Sequence, residues 1–337
     1  MKEMKGEVKL KKLITILIPA YNEEEVLEVL LKRLKGVTSA LADYRFEFLF
    51  VNDGSRDRTL EKLKLLRLDY PEISYVNLSR NFGKEVAMLA GIDHVQGDAV
   101  IIIDADLQDP PELIPEMIGY WEQGYDDVFA KRRSRAGESW FKKWSSNSYY
   151  RILDKVSNVP IQPDTGDFRL LDRRCIDALK QMRESQRYTK GMFSWIGYHK
   201  KEILFDREAR AAGTTKWNYP KLFNLAIDGL TSSTVEPLRL SSFFGLIVSV
   251  FAFVYMVFIV LRTLFFGDPV PGYPSLMVVI LFLGGMQLLS LGIIGEYLGK
   301  IFLETKNRPV YLIDEYYSQT TPPEEKLHSV YEKDLAK

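Results

Sequence analysis

Two stretches near the end of the chain carry no charged residue for longer than a globular core helix needs. Residues 240–261 are uncharged between Arg239 and Arg262, and residues 269–295 between Asp268 and Glu296. Each meets the requirement of about 20 predominantly apolar residues for crossing a bilayer. The first predicts a transmembrane helix over 240–262. The second opens with Pro269, Pro271 and Pro274, so its helix is expected to begin near Ser275 and run to about residue 297. Gly284, Gly285 and Gly292 would allow close helix packing. The loop between, 263–274, has little positive charge, whereas Lys216, Lys221 and Arg239 precede the pair and Lys300, Lys306 and Arg308 follow it. Positive flanks stay in the cytoplasm, so the pair reads as a hairpin whose loop is non-cytoplasmic and whose two ends are cytoplasmic. Membrane insertion then divides the chain into an extension (1–12), a large N-terminal domain (13–215), an interfacial segment (216–239), the hairpin, and a cytoplasmic tail (298–337). The tail is rich in Pro, Glu and Lys from about residue 318 and is expected to be disordered there.

The remaining composition excludes more than it identifies. Lysine plus arginine equals aspartate plus glutamate, 45 against 45, so no nucleic-acid partner is expected. A single cysteine, Cys175, cannot form an intrachain disulfide, and the three histidines lie too far apart for a zinc site. The apolar run Leu13–Ile18 is short and is followed by Asn22-Glu23-Glu24-Glu25, where a signal peptide would need small residues.

Before residue 235 the pattern alternates. Apolar runs at 13–19, 46–51, 73–78 and 99–104 read as strands, and 58–68 and 84–95 as helices. Asn22 is a candidate cap for a helix with three glutamates in its first turn, and Asp57 for the next helix. Strands alternating with helices predict parallel βαβ units, and continuous apolar runs predict strands covered on both faces. Ligands of such sheets bind at the carboxyl ends of the strands. There stand Pro19-Ala20-Tyr21-Asn22-Glu23, Asp53, Ser79 to Lys84, and Asp104-Ala105-Asp106-Leu107-Gln108. The first strand–helix turn has no glycine and no Gly-x-x-x-x-Gly-Lys-Ser/Thr occurs, so any nucleotide diphosphate must be held by something other than a glycine-rich loop.

Asp104, Asp106 and Gln108 offer oxygen ligands, the kind preferred by Mg²⁺ and Mn²⁺, which take one or two carboxylates plus substrate phosphates. If the strand persisted to residue 108, the three side chains would share one face. Helix capping accounts for Asp109 before Pro110-Pro111 but not for the two acids before it.

"ILIPAYNEEE", "VNDGSRDRT", "NLSRNFGKE", "DADLQDPPE", "TGDFRL" and "GTTKWN", in this order, resemble glycosyltransferase family 2. More narrowly they resemble polyprenyl-phosphate glycosyltransferases, a group that includes dolichyl-phosphate mannosyltransferases and bactoprenol glucosyltransferases. The segment "LFLGGMQLLSLGIIGEYLGKIFLETKNRPVY" is similar to the bactoprenol branch. The resemblance implies an α/β fold of GT-A type, Rossmann-like with a mostly parallel sheet, followed by two transmembrane helices. It implies that Pro19, Tyr21 and Glu23 lie along the donor nucleoside, that Asp53 contacts its base or ribose, and that Asp104 and Ala105 support the nucleotide side. It implies Asp106 and Gln108 as ligands of Mg²⁺ or Mn²⁺, and Arg132, Arg210 and Lys216 as phosphate-binding residues. Asp167, with Asp106, is an implied catalytic residue and the candidate general base; it either takes a proton, orients the acceptor sugar site, or pairs with Arg169. The implied reaction moves a sugar, with inversion, from a nucleotide donor to a lipid phosphate on the cytoplasmic face. Glucose from UDP-glucose and an undecaprenyl phosphate acceptor lead the branch resemblance, with GDP-mannose or a UDP-4-amino-4-deoxyarabinose derivative as other donors.

A processive polysaccharide synthase would show Gln-x-x-Arg-Trp and more spans, and neither occurs. A non-catalytic scaffold built on a dead transferase domain would lack an expected acid, and none is missing. Aromatic and basic residues mix over 217–230, which suits a helix lying in the headgroup layer; 140–156 has the same character. The same basic character leaves Arg132, Arg133 and Arg135 as either phosphate ligands or a surface facing anionic lipid. Hairpins of this kind could also pack across protomers in a homo-oligomer.

Overall fold

The computed structural model describes residues 11–133, 165–185, 187–205, 236–266 and 272–319. The chain forms two compact units, one of Met1–Tyr150, Val159–Lys216 and Pro309–Lys337, the other of Arg151–Asn158 and Trp217–Arg308. The first unit is built on β1 (Leu13–Ala20), β2 (Arg45–Asn52), β3 (Ile73–Leu78), β4 (Ala99–Ile102), β5 (Asp127–Arg132), β6 (Thr165–Asp172), β7 (Lys200–Phe205) and β8 (Ile313–Tyr317). Its helices are α1 (Leu27–Thr38), α2 (Thr59–Asp69), α3 (Lys84–His94), α4 (Ile114–Glu122), α5 (Arg173–Gln181) and α6 (Thr189–Trp195).

These strands form one sheet in the order β7-β5-β6-β4-β1-β2-β3-β8. The stretch β4-β1-β2-β3 is parallel, as the alternation predicts. Strands β6 and β8 run against their neighbours. The central strands β1, β2, β3 and β4 are buried on both faces because each feeds two cores. Ile14, Ile16 and Ile18 of β1 pack on one side with α1 and α4, while Leu17 packs on the other with α3 and α5. The same period-2 division separates Phe48 and Phe50 from Leu49 and Val51 in β2. A Cβ at Gly91 of α3 would stand 2.1 Å from Leu17 Cδ1, so the glycine lets α3 lie close on β1.

Three local expectations are corrected. Strand β4 ends at Ile102 and Leu107 takes φ +61°, so Asp104, Asp106 and Gln108 do not share a face by strand alternation. Instead Asp106 Oδ1 accepts the Gln108 backbone N–H at 3.2 Å, a local turn that competes with extended chain. Helix α1 starts at Leu27 without a side-chain cap, because Asn22 adopts φ +57° and its Oδ1 accepts from Arg56 N of the next loop. The helix after Asp109 opens as a 3-10 turn, Pro111–Leu113, and becomes α-helical at Ile114.

The second unit contains two long helices that pack on each other, α7 (Glu236–Phe266) and α8 (Tyr273–Thr305). Both expose large apolar side chains, including Phe251, Phe265 and Leu288. Among the described residues one segment, Phe282–Thr305, is long and apolar enough to cross a membrane, and Ser241–Tyr255 is a shorter apolar stretch. Cβ atoms built at Gly284, Gly285 and Gly292 meet nothing within 4 Å, so these glycines do not serve close packing of the two helices. The expected interfacial segments, 140–156 and most of 216–239, lie outside the described residues, as do Arg135, Arg210 and Lys216. The expected disordered segment beyond residue 318 lies outside them from residue 320 onward.

The return of the chain to the first unit is unforeseen in the sequence. After α8, β8 adds to the free edge of β3, with Tyr75 opposite Tyr317 and Ser79 N donating to Leu312 O at 2.9 Å. The Arg67 guanidinium lies 3.6 Å over the Tyr317 ring, which stacks on Tyr75. Glu315 accepts from Tyr75 Oη and pairs with Lys64, and Tyr311 Oη donates to Asp93 at 2.7 Å.

Candidate active site

The carboxyl ends of β1, β2, β3 and β4 carry loops that are tied to one another. Three consecutive amides after β1 are held by side chains after β2. Asn22 N donates to Ser55 Oγ at 2.9 Å, Glu23 N to Thr59 Oγ1 at 2.9 Å, and Glu24 N to Asp57 Oδ2 at 3.2 Å. Asp57 also accepts from Thr59 N at 3.0 Å, although the cap position of α2 itself is Arg58, one residue later than expected and without a side-chain capping bond. Pro19 is buried on β1, Glu23 is half-buried and Tyr21 is exposed, so this loop presents an aromatic face above the sheet.

Asp53 lies inside the next loop, 3% exposed. Its carboxylate accepts from Phe82 N at 2.7 Å, Gly83 N at 2.9 Å and Asn81 Nδ2 at 3.0 Å. Burial pushes this carboxyl up, against the pull of those backbone donors and of Arg80. Gly54 explains how the two loops approach: it has φ +59°, and a Cβ there would meet Arg80 C at 2.3 Å. Asp53 therefore shapes the loop between β3 and α3.

That loop delivers Lys84, the first residue of α3. Its ammonium reaches both oxygens of Asp104, at 2.6 and 2.7 Å, and Asp167 Oδ2 at 2.6 Å. One cation thus joins the acid after β4 to the acid on β6. Burial alone would lower the Lys84 pKa, but the two carboxylates outweigh it and hold the group above the usual lysine range. Burial would raise the Asp167 carboxyl, but Lys84 outweighs it and holds it below the usual carboxylate range. The second oxygen, Asp167 Oδ1, is buried without a hydrogen-bond partner among the described residues. Buried polar atoms are rarely left so, and a ligand group is a natural occupant.

Arg169 does not pair with Asp167. It turns to Asp127 on β5, Nη1 to Oδ2 at 3.1 Å, and stacks 3.8 Å from the Phe193 ring. Lys190 on α6 and Glu85 also act on Asp167 electrostatically, and Arg132 at the end of β5 acts on Lys190. Burial, then repulsion from Asp167, pushes the Glu85 carboxyl up to about 7.

Asp104, Ala105, Asp106 and Gln108 cluster after β4, with Ala105 and Gln108 buried. Asp106 and Gln108 offer oxygen donors only, which suits Mg²⁺ or Mn²⁺. Among the described residues no group of three or more His, Cys, Asp or Glu could cage a metal. Two such oxygen ligands suit an ion that takes its remaining ligands from substrate oxygens and water.

Residues 15–179 match the description "Glycosyl transferase family 2", and residues 236–301 match "GtrB C-terminal hairpin". Glycosyltransferase sll0501 of Synechocystis is 50% identical over 315 residues, covering 94% of this chain and 99% of that protein. The chain is a family 2 glycosyltransferase. Its sheet and loops accordingly have the GT-A, Rossmann-like architecture. This glycosyltransferase is also 43% identical, over 89% of its length and 97% of the relative's, to the SfII prophage-derived bactoprenol glucosyl transferase of Shigella flexneri. A Mycobacterium tuberculosis glucosyl-3-phosphoglycerate synthase, solved with Mn²⁺ and UDP, shares 17% identity over 65% of this chain and 76% of that one, at TM-score 0.45. That likeness is too remote to carry an argument.

The sequence places Lys84 at the strand ends but gives it no role. A signal was present, since a lysine in the first turn of a helix opposes the helix dipole and calls for an anionic partner. Sequence reasoning missed Glu85 and Lys190, which no strand-end rule singles out.

Proposed function

We propose that this glycosyltransferase moves a sugar, with glucose from UDP-glucose as the lead donor, onto a polyprenyl phosphate at the cytoplasmic face of a membrane. The observation that carries the reading is the pair of acids after β4 and on β6, drawn to one point by Lys84. The name of the Shigella relative supports glucose and bactoprenol. The acceptor is a phosphate monoester, largely dianionic at neutral pH because its second pKa is near 6. It can attack without first losing a proton. An oxygen of that phosphate bonds to the anomeric carbon as the bond to the nucleoside diphosphate breaks, and the leaving diphosphate keeps the electron pair.

An acid held below the usual range is a weak proton acceptor at neutral pH. Asp167 then works as an ionised group that fixes Lys84 and receives a donor hydroxyl at Oδ1. Asp106 and Gln108 would hold a divalent cation together with donor phosphate oxygens. Such an ion, when bound, neutralises charge on the diphosphate. The loop after β1, with Pro19, Tyr21 and Glu23, would lie along the nucleoside. Asp53 would act through the loop it shapes, and Asp104 and Ala105 would line the diphosphate side. Arg132, with Arg210 and Lys216, would hold phosphates.

The hairpin reading has a topological support. Strands before and after α7 and α8 belong to one sheet, so the number of membrane crossings between them is even. The apolar side chains exposed along both helices suit lipid contact, as bare patches of that size are unusual in water.

The test uses the full chain in detergent with labelled nucleotide sugars, Mg²⁺ or Mn²⁺ and undecaprenyl phosphate. Label is expected in the organic extract with UDP-glucose, and to vanish with Asp106→Ala or EDTA. Nucleotide binding without transfer to lipid would defeat the enzymatic reading. Transfer undiminished by both treatments would defeat the metal assignment.

A further inference from the structure

Strand β8 reaches the loop after β1 through side chains rather than backbone. Asn22 N–H donates to Ser55 Oγ at 2.9 Å. The Ser55 hydroxyl donates to Asn52 Oδ1 at 2.5 Å. Asn52 Nδ2 donates to Asn77 Oδ1 at 2.7 Å, and Asn77 Nδ2 donates to Asp314 Oδ2 at 3.0 Å. Every donor points the same way, from the loop after β1 to the carboxylate on β8. The line passes across the carboxyl ends of β2 and β3.

Two features make the line more than a string of contacts. Asn52 and Asn77 are 1% and 6% exposed, so their amides have little water to turn to. Each amide also has a fixed sense. With its NH₂ given to Asp314, Asn77 must offer its oxygen to Asn52, which must then offer its own oxygen to Ser55. Hydrogen bonds in series polarise one another, and an ionised terminal acceptor strengthens the end of the series. At the far end, Asn22 is held at φ +57°, which sets the direction of Tyr21 and Glu23 on either side.

We propose that Asp314 is a positioning residue for the donor-binding loop: the strand that follows the helical hairpin orients, through Asn77, Asn52 and Ser55, the backbone turn at Asn22. The nucleotide part of this inference rests on the proposed function, in which that turn lies along the nucleoside. Removing the carboxylate frees Asn77 to flip, and the turn then loses its fixed amide partner. The donor is bound more weakly, while Lys84 and Asp167, which take no part in the line, keep their pairing.

The experiment compares wild type with Asp314→Ala, Asp314→Asn and Glu315→Gln, all as the full chain in detergent. Asp314→Asn keeps an acceptor oxygen for Asn77. Glu315→Gln weakens the attachment of β8 to Tyr75 and Lys64 without touching the line. Hydrogen exchange of the peptide covering residues 21–25 is read without ligand. Exchange is expected to be about 3- to 10-fold faster in Asp314→Ala and near wild type in the other two, the scale of one weakened hydrogen bond. UDP and GDP binding with Mn²⁺ is read by calorimetry. The nucleotide that wild type binds is expected to bind Asp314→Ala about 3- to 10-fold more weakly, with donor KM rising in step and kcat and acceptor KM unchanged.

Unchanged exchange in Asp314→Ala overturns the inference. An equal effect in Glu315→Gln also overturns it, because detachment of the strand would then be the cause. Faster exchange with unchanged affinity for the nucleotide that wild type binds overturns the link to the donor. Failure of wild type to bind either nucleotide overturns that link together with the functional reading, and the exchange result still decides the line itself.

Discussion

Replacing Arg169 by methionine probes a fully buried ion pair in the first unit. The guanidinium and the Asp127 carboxylate are 2% and 0% exposed, with Nη1 to Oδ2 at 3.1 Å and Nη2 on Gly166 O at 3.4 Å. Burial pushes the Asp127 carboxyl up, and Arg169 and Lys200 pull it down. Removing one partner of such a pair leaves an uncompensated buried charge and costs about 3–5 kcal/mol. Lys200, held by Phe193 O at 2.7 Å, still faces Asp127, so the lower end of that range applies. At ~2–4 °C per kcal/mol for a domain of this size, about 3 kcal/mol lowers Tm by roughly 6–12 °C. Tryptophan fluorescence of the full chain in detergent reads the transition, since Trp121 lies in the core of this unit. The double variant Arg169→Met/Asp127→Leu removes both charges and should recover most of the loss. A fall below about 2 °C in the single variant, or a double variant no better than the single, would refute the argument.

Lys84→Met removes the cation that keeps Asp167 ionised, so the acid limb of the pH–kcat profile should move to higher pH; an unmoved limb with lowered kcat would assign Lys84 elsewhere. Glu85 binds its proton more tightly folded than unfolded, with a folded value of about 7 against an ordinary 4.5, so its contribution is full below about 4.5 and is lost as pH rises toward 7. Wild-type Tm should fall across that window by the equivalent of at most about 3 kcal/mol, and Glu85→Gln should flatten the slope. The depressed Asp167 acts only below the ordinary carboxylate range and does not confuse this reading. Gly54→Ala drives a Cβ into the Arg80–Asn81 backbone at φ +59°, and should cost at least about 2 kcal/mol in thermal unfolding while raising donor KM more than acceptor KM.

The parallel heart of the sheet was legible because β1 to β4 are buried on both faces, which forces apolar runs such as Ile16–Ile18 and Val100–Ile103. The acids at Asp104 and Asp106 were legible for the same reason, as charge that interrupts such a run. Their geometry was not. It depends on Leu107 turning to positive φ and on an i to i+2 bond that alternation rules do not contain. Asn22 looked like a cap because its neighbours suit a first turn, but its side chain found Arg56, thirty-four residues away. Lys84 and Arg169 stand in visible motifs, yet their partners sit on other strands, and pairing at that range is decided by sheet order. Strand β8 was hidden for a related reason. Its five residues, Ile-Asp-Glu-Tyr-Tyr, alternate too briefly to announce a strand, and the edge that accepts them lies far back in the sequence.

That distance has a consequence for how the molecule is made. β3 ends at Leu78 and its neighbour β8 begins at Ile313. At synthesis rates of about 5–20 residues per second, roughly ten to fifty seconds separate the two on the ribosome. Throughout that interval β3 shows an open row of backbone donors and acceptors, the kind of edge that recruits other chains. The nascent domain therefore needs shelter until α7 and α8 have left the exit tunnel and the last strand can close the row.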